Sequence, residues 1–256
     1  MINTDFSGQE LGSVSGNRTK EPQLLVSVII PVRNRVKQLE AALLSVLSQR
    51  EGIAEVIVID GASTDGTMDI IHKYSDRIAY WVSEEDQGIY DAMNKGIKHA
   101  RGRYLLFLGS DDTLIARLDE LESILRDPNT VYYGNIRTVT GQGWDGPFTS
   151  WRLAVRTINH QSMFYPIIAF DSGGFSAKYR IYGDWEFNLR CFGDKRLRFQ
   201  YIPYEIAFFS RDGTSSYIGD AAFIEDRLTL VRQHLPFHAF IYASLRSFIG
   251  RLLRRQ

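Results

Sequence analysis

The sequence Leu25-Val-Ser-Val-Ile-Ile-Pro31 is a short, almost entirely apolar run that is rich in β-branched residues. Such a run is typical of a parallel strand buried on both faces, because helices then cover the sheet on either side. The pattern returns in Glu55-Val-Ile-Val-Ile-Asp60 and in Tyr104-Leu-Leu-Phe-Leu108, and a shorter strand is predicted over residues 79–82. These four segments form the framework of the predicted sheet.

Apolar residues at helical spacing lie between the predicted strands. They predict a crossover helix over 36–49, a second helix around Ile70 that ends near Ser75, and a third helix over 88–100. Alternating strands and helices predict an α/β fold with a doubly wound, mostly parallel sheet and right-handed crossovers. Ligands of such sheets bind beyond the carboxyl ends of the strands.

The second half of the chain changes to shorter, aromatic-rich segments after Pro128. Strands are predicted near 131–133, 162–165 and 199–202, and helices from Asp184 to about Arg190, over 220–234 and after Pro236. We therefore divide the chain into four parts: a flexible tail (1–23), an α/β half (24–127), a smaller mixed half of the same domain (128–219) and C-terminal helices (220–256).

Composition excludes several classes of protein. Thirty basic residues balance thirty acidic ones, so the chain has no net charge that would attract nucleic acid. We therefore expect no nucleic acid among its partners. A single cysteine, Cys191, forms no internal disulfide or cysteine metal cluster. The sequence has no apolar run of membrane-spanning length and no signal-peptide pattern at its start, so we expect a cytoplasmic protein.

Acidic residues follow the predicted strands. Asp60 ends the second strand, Asp65 lies in the next turn, and the pair Asp111-Asp112 follows the fourth strand. Turn formation or helix capping accounts for Asp65. Adjacent carboxylates repel, however, and are usually kept together by a cation or a special hydrogen-bond network. Ser110-Asp-Asp therefore suits a hard divalent ion shared with a diphosphate.

Four segments together resemble family 2 glycosyltransferases with the GT-A fold, in the branch that builds bacterial O-antigens, capsules and other exopolysaccharides. The resemblance runs in order and at family spacing from about residue 25 to 215. The segments are Ser27-Val-Ile-Ile-Pro-Val-Arg-Asn34, Val58-Ile-Asp-Gly-Ala-Ser-Thr-Asp-Gly-Thr67, Asp86-Gln-Gly-Ile-Tyr-Asp-Ala-Met-Asn-Lys-Gly96 and Gly102-Arg-Tyr-Leu-Leu-Phe-Leu-Gly-Ser-Asp-Asp112.

The resemblance implies a donor site for a nucleoside-diphosphate sugar. Pro31, its neighbour Arg33 and Asp60 match the pocket for base and ribose. Asp111 and Asp112 match the family's Asp-x-Asp-like element, here without the middle spacer. Asp112 is then the contact for Mn²⁺ or Mg²⁺, and Asp111 the contact for the ribose or a metal-bound water.

Asp91, Asn94 and Lys95 match the family's helix that flanks the diphosphate-sugar. A lysine at this position offsets phosphate charge. The alternative for Lys95 is a solvated helix residue without a ligand.

The second half resembles the family's catalytic-base region, in Gly173-Gly-Phe-Ser-Ala-Lys-Tyr-Arg-Ile-Tyr-Gly-Asp-Trp-Glu-Phe-Asn-Leu-Arg190. Asp184 matches the base, although an aspartate before Trp185-Glu-Phe is also a good helix N-cap. Glu186 is the other candidate for the base and is also expected on the acceptor side. His160 matches a segment on the acceptor side, with an ordinary buried polar residue as the alternative.

Two features lie towards the C-terminus. Arg211-Asp-Gly-Thr-Ser-Ser216 resembles a loop that closes over the donor in relatives, with Arg211 as the lid residue, and a surface turn is the alternative. After Pro236, apolar residues at helical spacing accompany four arginines. This pattern predicts an amphipathic helix on an anionic membrane surface, or else a helix that packs on the body or on a partner subunit.

The predicted function is inverting transfer of a hexosyl or N-acetylhexosaminyl group from a nucleoside-diphosphate sugar to a hydroxyl of a lipid-linked glycan, in surface polysaccharide biosynthesis. The alternative is a non-catalytic nucleotide-sugar-binding or scaffold subunit. Pro31-Val-Arg-Asn-Arg35 contains no glycine, which argues against a sugar-nucleotide pyrophosphorylase and a dinucleotide oxidoreductase. The sequence does not specify the sugar, the nucleotide base of the donor, the acceptor or the oligomeric state.

Overall fold

The computed structural model describes residues 24–141, 146–210 and 219–253, so the predicted tail over 1–23 lies outside it. The first seven elements match the predicted order, with ends shifted by a few residues. They are β1 (Val26–Val32), α1 (Leu39–Leu47), β2 (Ala54–Asp60), α2 (Thr67–Lys73), β3 (Tyr80–Ser83), α3 (Ile89–Ile97) and β4 (Tyr104–Phe107). The helix predicted over 36–49 is therefore shorter than expected.

The remaining elements include three that the sequence pattern did not predict, β5, α4 and α5. In chain order they are β5 (Thr113–Leu114), α4 (Leu118–Leu121), β6 (Thr130–Thr138), α5 (Ser150–Leu153), β7 (Met163–Pro166), α6 (Gly183–Gly193), β8 (Arg198–Phe209), α7 (Ala221–His234) and α8 (Phe237–Leu253), with 3-10 helices at His160–Ser162 and Ile167–Phe170. No helix in the described ranges is both long and apolar enough to cross a membrane.

Strands β6 and β8 extend well beyond the residues predicted for them. Their pairing is parallel, but the register shifts between Tyr133 and Asn135 and again before Ile136. Pro203 lies in the corresponding part of β8 and has no N–H to donate. A strand with a bulge and a proline loses its regular apolar alternation, which explains why the prediction ended at residue 202.

All eight strands form one sheet in the order β3-β2-β1-β4-β7-β6-β8-β5. The first four in this order are parallel, β7 is antiparallel to β4 and β6, β8 is parallel to β6, and β5 is antiparallel to β8. The boundary predicted near residue 128 falls between α4 and β6, and strands from both sides of it belong to this sheet.

Successive residues of the buried strands enter opposite hydrophobic clusters. In β1, Ile29 belongs to the cluster that contains residues of α3, α6, α7 and α8, whereas Val28 and Ile30 belong to the cluster that contains residues of α1 and α2. Helices therefore cover both faces, as expected of a doubly wound sheet. Because a Cβ on Gly96 would lie 2.5 Å from Ile29, glycine allows α3 to approach β1 closely.

The sheet curls until its last strand returns to the first helix. The backbone N–H of Leu114 in β5 donates to Ser45 Oγ of α1 at 3.0 Å. Gln49, just after α1, donates to the carbonyl of Ala116 at 3.1 Å and accepts from the N–H of Leu118 at 3.0 Å. These bonds anchor the segment that directly follows Asp111 and Asp112.

Candidate active site

The loops after β1 and β2 are joined by hydrogen bonds and contain two unusual backbone conformations. Asn34 and Ala62 have φ of 53° and 56°, a region that residues other than glycine rarely adopt. The N–H of Asn34 donates to Ser63 Oγ at 2.8 Å, and Asn34 Oδ1 accepts from the N–H of Thr64 at 2.9 Å. Such strained positions cluster at ligand sites, where the surrounding contacts hold them in place.

Asp60 lies at the end of β2 and is fully buried. Its carboxylate accepts from the N–H of Ser63 at 2.9 Å, from Ser83 Oγ of β3 at 2.6 Å and from the Ser63 hydroxyl. It therefore organises the loop after β2, and its contact with a nucleotide base stays a prediction. Asp65 binds the N–H groups of Thr67 and Val36, as the turn interpretation expects.

Arg33 is exposed beside Gly61 at the end of the parallel strands, and Pro31 is buried within β1. A Cβ on Gly61 would lie 3.4 Å from Arg33 Cδ and would overlap the carboxylate of Asp86. Glycine thus lets a cation and an anion approach the same backbone segment. Arg33 forms no ion pair with any residue that the structure describes, and its contact with a donor stays a prediction.

Asp111 and Asp112 follow β4, and their carboxylates converge on Gly109. Asp111 Oδ1 would lie 3.1 Å from a Cβ placed on Gly109, and Asp112 Oδ2 would overlap it. Only 2% of Asp112 is exposed, while Asp111 is half-buried. Asp112 Oδ2 accepts from Gln161 Nε2 at 3.0 Å, and Oδ1 accepts from the N–H of Ser210 at 3.1 Å.

Burial, and then the negative charge of Asp111, raises the pKa of Asp112 from 3.8 to about 6, although the bonds from Ser210 and Gln161 act in the opposite direction. A cation beside this pair would favour the ionised form. No group of three or more His, Cys, Asp or Glu that could hold a metal occurs in the part of the chain described. Mg²⁺-type sites commonly use one or two carboxylates and complete their coordination with phosphates and water, so Asp111 and Asp112 fit such an ion.

Asp184 lies in the first turn of α6, which begins at Gly183 and has Tyr182 at its N-cap position. The N-cap alternative for Asp184 is therefore wrong. Its carboxylate is buried but well supplied with partners, because Oδ1 accepts from the N–H of Trp185 at 2.7 Å and lies 3.2 Å from the Tyr90 hydroxyl. His160 Nδ1 lies 3.4 Å from Oδ2.

Tyr90 connects α3 to the start of α6. Its hydroxyl lies 2.7 Å from the carbonyl oxygen of Ile181 as well as near Asp184, so its single hydrogen serves these two acceptors. Burial and the charge of Asp184 raise the pKa of Tyr90 well above its usual value. The tyrosine therefore remains a neutral donor and orients the Asp184 carboxylate.

The predicted residues of α3 are already engaged with protein groups. Both ends of the Asn94 amide bind the backbone of Phe175, at 2.8 Å each, which gives Asn94 a structural role in the loop before α6. Lys95 Nζ lies 2.9 Å from Glu84 Oε1 and 3.6 Å from Asp91 Oδ2. Although burial lowers it, the pKa of Lys95 is raised overall by these two carboxylates. Donor contact by these residues stays a prediction.

Glu186 is a buried partner of Arg190 on the same helix. Arg190 Nε donates to Glu186 Oε1 at 2.7 Å, and Nη2 lies 3.3 Å from Oε2. The guanidinium also binds the carbonyls of Gly173 and Gly174. These bonds give Glu186 a structural role and favour Asp184 as the base. Arg211 lies within 211–218, outside the described residues.

Sequence reasoning missed Gln161 and Tyr90. Gln161 directly follows His160, so one 3-10 helix, His160–Ser162, brings consecutive side chains to Asp184 and Asp112. Both residues belong to the segment His160-Gln-Ser-Met-Phe, but its resemblance to the family points to the histidine alone. Tyr90 belongs to a quoted motif, yet its contact with Asp184 joins residues 94 positions apart.

Comparison with known proteins identifies the family. The model named Glycosyl transferase family 2 matches residues 27–183. The chain is 36% identical over 213 residues to a PGL/p-HBAD biosynthesis glycosyltransferase of Mycobacterium tuberculosis. The alignment covers 78% of this chain and 83% of the relative.

Two solved structures share the fold. S. aureus TarS superposes with a TM-score of 0.67 at 20% identity, over 82% of this chain and 39% of the TarS chain. Mannosyltransferase PcManGT from Pyrobaculum calidifontis, solved with GDP-Man and Mn²⁺, gives 0.60 at 19% identity, over 88% and 75% of the two chains. The predicted GT-A fold is thus confirmed, and the match over residues 27–183 with the 36% identity places this chain in glycosyl transferase family 2.

Proposed function

We propose that the protein transfers a sugar from a nucleoside-diphosphate sugar to an acceptor hydroxyl, with inversion at the anomeric carbon. The observation that supports this most directly is the pairing of two buried carboxylates through one short helix, with Asp184 beside His160 and Asp112 beside Gln161. One carboxylate serves the acceptor and the other serves the departing diphosphate.

Asp184 is the proposed general base. Its Oδ1 is held by Tyr90 and by the N–H of Trp185, which leaves Oδ2 to take the acceptor proton as the new glycosidic bond forms. His160 orients Oδ2 and stabilises its charge before transfer. The bond from the anomeric carbon to the diphosphate breaks in the same displacement, so no covalent sugar intermediate and no nucleophilic side chain is required.

Asp112 is the proposed ligand of Mn²⁺ or Mg²⁺, and Asp111 is proposed to contact the ribose or a metal-bound water. When bound, the ion neutralises charge that develops on the departing diphosphate. Mn²⁺ in the PcManGT structure supports the proposal. Arg33 and Asp60 are proposed to contact the nucleoside, and Lys95 with Asp91 and Asn94 to line the diphosphate-sugar side. Arg211 is proposed as a lid residue.

We further propose a hexosyl or N-acetylhexosaminyl donor and a lipid-linked glycan acceptor at the inner face of the cytoplasmic membrane, in surface polysaccharide or O-antigen biosynthesis. The complex of TarS with UDP-GlcNAc and that of PcManGT with GDP-Man support the donor class. The relative's role in PGL/p-HBAD biosynthesis supports an acceptor of the cell surface.

The test is release of nucleoside diphosphate from a panel of UDP-, GDP- and dTDP-sugars, with and without Mn²⁺, followed by NMR of the product. Metal-stimulated release from one donor and an inverted anomeric configuration are the expected results. A retained configuration would contradict the mechanism. Binding without release, even with glycan acceptors present, would favour a non-catalytic nucleotide-sugar-binding subunit.

A further inference from the structure

Helix α8 turns its apolar side away from the protein. Ala239 and Ala243 are fully buried against the body, and the opposite face consists of large apolar residues that are 47–69% exposed. These residues, spaced to share one helical face, are Phe237, Ile241, Leu245, Phe248, Ile249 and Leu252. At 1.5 Å per residue the stripe is about 22 Å long. A contiguous surface of this kind marks an interaction site rather than a solvated face.

The sequence that contains this stripe carries charges of one sign. From residue 227 to 256 the sequence contains six arginines and no acidic residue. Arg227 of α7 and Arg246 of α8 lie close enough that burial and then the Arg246 charge lower the pKa of Arg227. Among the described residues, neither arginine forms an ion pair with a carboxylate. An anionic partner would relieve this repulsion.

Trp151 on α5 extends the exposed apolar surface. Its ring stacks on His238 at a centroid separation of 5.0 Å and meets Tyr242 edge-on at 5.2 Å, and 45% of the tryptophan is exposed. Tryptophan and tyrosine rings are enriched at membrane interfaces, where one end is apolar and the other is hydrated.

Helix α5 is hydrogen-bonded to α6, the helix that contains Asp184. The carbonyl of Leu153 in α5 accepts from Trp185 Nε1 at 2.8 Å, and Trp185 directly follows Asp184. Arg227 also lies 3.4 Å from the carbonyl of Ala154, so α5 connects the arginine pair to α6. The exposed surface and the proposed base are thus parts of one packed unit.

We propose that the outward face of α8, together with Trp151, docks in the interface of an anionic lipid bilayer. The apolar stripe enters the boundary between headgroups and acyl chains, and the exposed Arg246 meets lipid phosphates. A symmetric dimer through this face is disfavoured, because two-fold symmetry would place two arginine-rich surfaces together. The proposal rests on the proposed function in one respect: a lipid-linked acceptor would give the enzyme a reason to bind a membrane.

Co-sedimentation with vesicles tests the surface. The full-length chain is mixed with vesicles of phosphatidylcholine alone or with one third phosphatidylglycerol. We expect binding to the anionic vesicles that weakens with added salt. Ile241→Asp with Phe248→Asp should weaken it at least tenfold, and Arg246→Glu should weaken it severalfold without touching the stripe. Leu44→Asp is the matched control, because Leu44 is 42% exposed on α1, which covers the other face of the sheet, and should bind like the unchanged chain.

Two results would overturn the proposal. One is absence of vesicle binding, or equal binding by the aspartate double variant and the unchanged chain. The other is a dimer in sedimentation velocity that the double variant converts to monomer, since α8 would then bind a second copy. Release of nucleoside diphosphate from the donor is measured in parallel. Its absence in a vesicle-binding protein contradicts the proposed function and leaves the docking surface standing.

Discussion

Gln161 and Asp112 are joined by a hydrogen bond of 3.0 Å from Nε2 to Oδ2, although 49 residues separate them in sequence. The residue before Gln161 is His160, which contacts Asp184. Because consecutive residues of one 3-10 helix hold both carboxylates, the spacing between the proposed base and the proposed metal ligand is determined by a single short backbone segment.

Replacing Gln161 by leucine removes one donor from a buried carboxylate. Loss of such a bond to a charged group costs on the order of 1–3 kcal/mol. We expect Gln161→Leu to lower the free energy of unfolding by this amount and to weaken Mn²⁺ binding measured by calorimetry. Gln233→Leu, at an exposed position of α7, is the control. Unchanged stability and Mn²⁺ affinity would show that the Gln161–Asp112 hydrogen bond does not hold the Asp112 carboxylate in place.

Asp184→Asn should separate catalysis from binding. The amide keeps the size of the carboxylate but accepts no proton, so transfer should fall by a factor on the order of 10² or more. Donor affinity, measured by calorimetry with the nucleoside diphosphate, should stay within a fewfold of the original. Transfer at nearly the original rate would rule out Asp184 as the base.

Glu186→Gln tests the other candidate for the base. Since Glu186 is the buried partner of Arg190, the substitution should lower stability by several kcal/mol, as for other broken buried ion pairs. The fraction that remains folded should retain most of its transfer rate per molecule. Thermal denaturation and turnover are compared on the same samples, and full stability with no turnover would move the base to Glu186.

Asp112→Ala removes the hard oxygen ligand proposed for the metal. We expect the variant to lose the increase in nucleotide affinity that Mn²⁺ gives, because the diphosphate charge is then poorly compensated. Calorimetric titrations with and without Mn²⁺ measure the effect. An increase as large as in the unchanged chain would exclude Asp112 as a ligand.

The raised pKa of Asp112 predicts a pH dependence of stability. With a folded value of about 6 against 3.8 unfolded, the native state binds the proton more tightly. The free energy of unfolding should therefore rise as the pH falls through 6, by about 1.4 kcal/mol between pH 7.5 and 5, and level off below 3.8. Urea denaturation of metal-free protein measures this, with Asp112→Asn as the variant that lacks the titration. Parallel profiles for the two proteins would contradict it.

Local patterns predicted the first half of the fold because its strands are buried on both faces. Each such strand is an almost entirely apolar run of sequence, as over residues 25–31. Local patterns predicted only residues 199–202 of β8, because a proline and a bulge interrupt the pattern further along the strand. At the site, Asp112 and Asp184 could be selected because they lie in recognisable motifs. Their partners Gln161 and Tyr90 could not, since hydrogen bonds between distant segments depend on strand order rather than local sequence.

The order of strands has a consequence for dividing the chain. Residues 24–127 supply β3, β2, β1 and β4 together with β5 at the far edge, while β7, β6 and β8 lie between β4 and β5. Neither piece can complete its pairing alone, because the first lacks the middle of the sheet and the second lacks both borders. Chains cut in the turn before β6 should therefore regain the proposed nucleotide site only when the two fragments are refolded together.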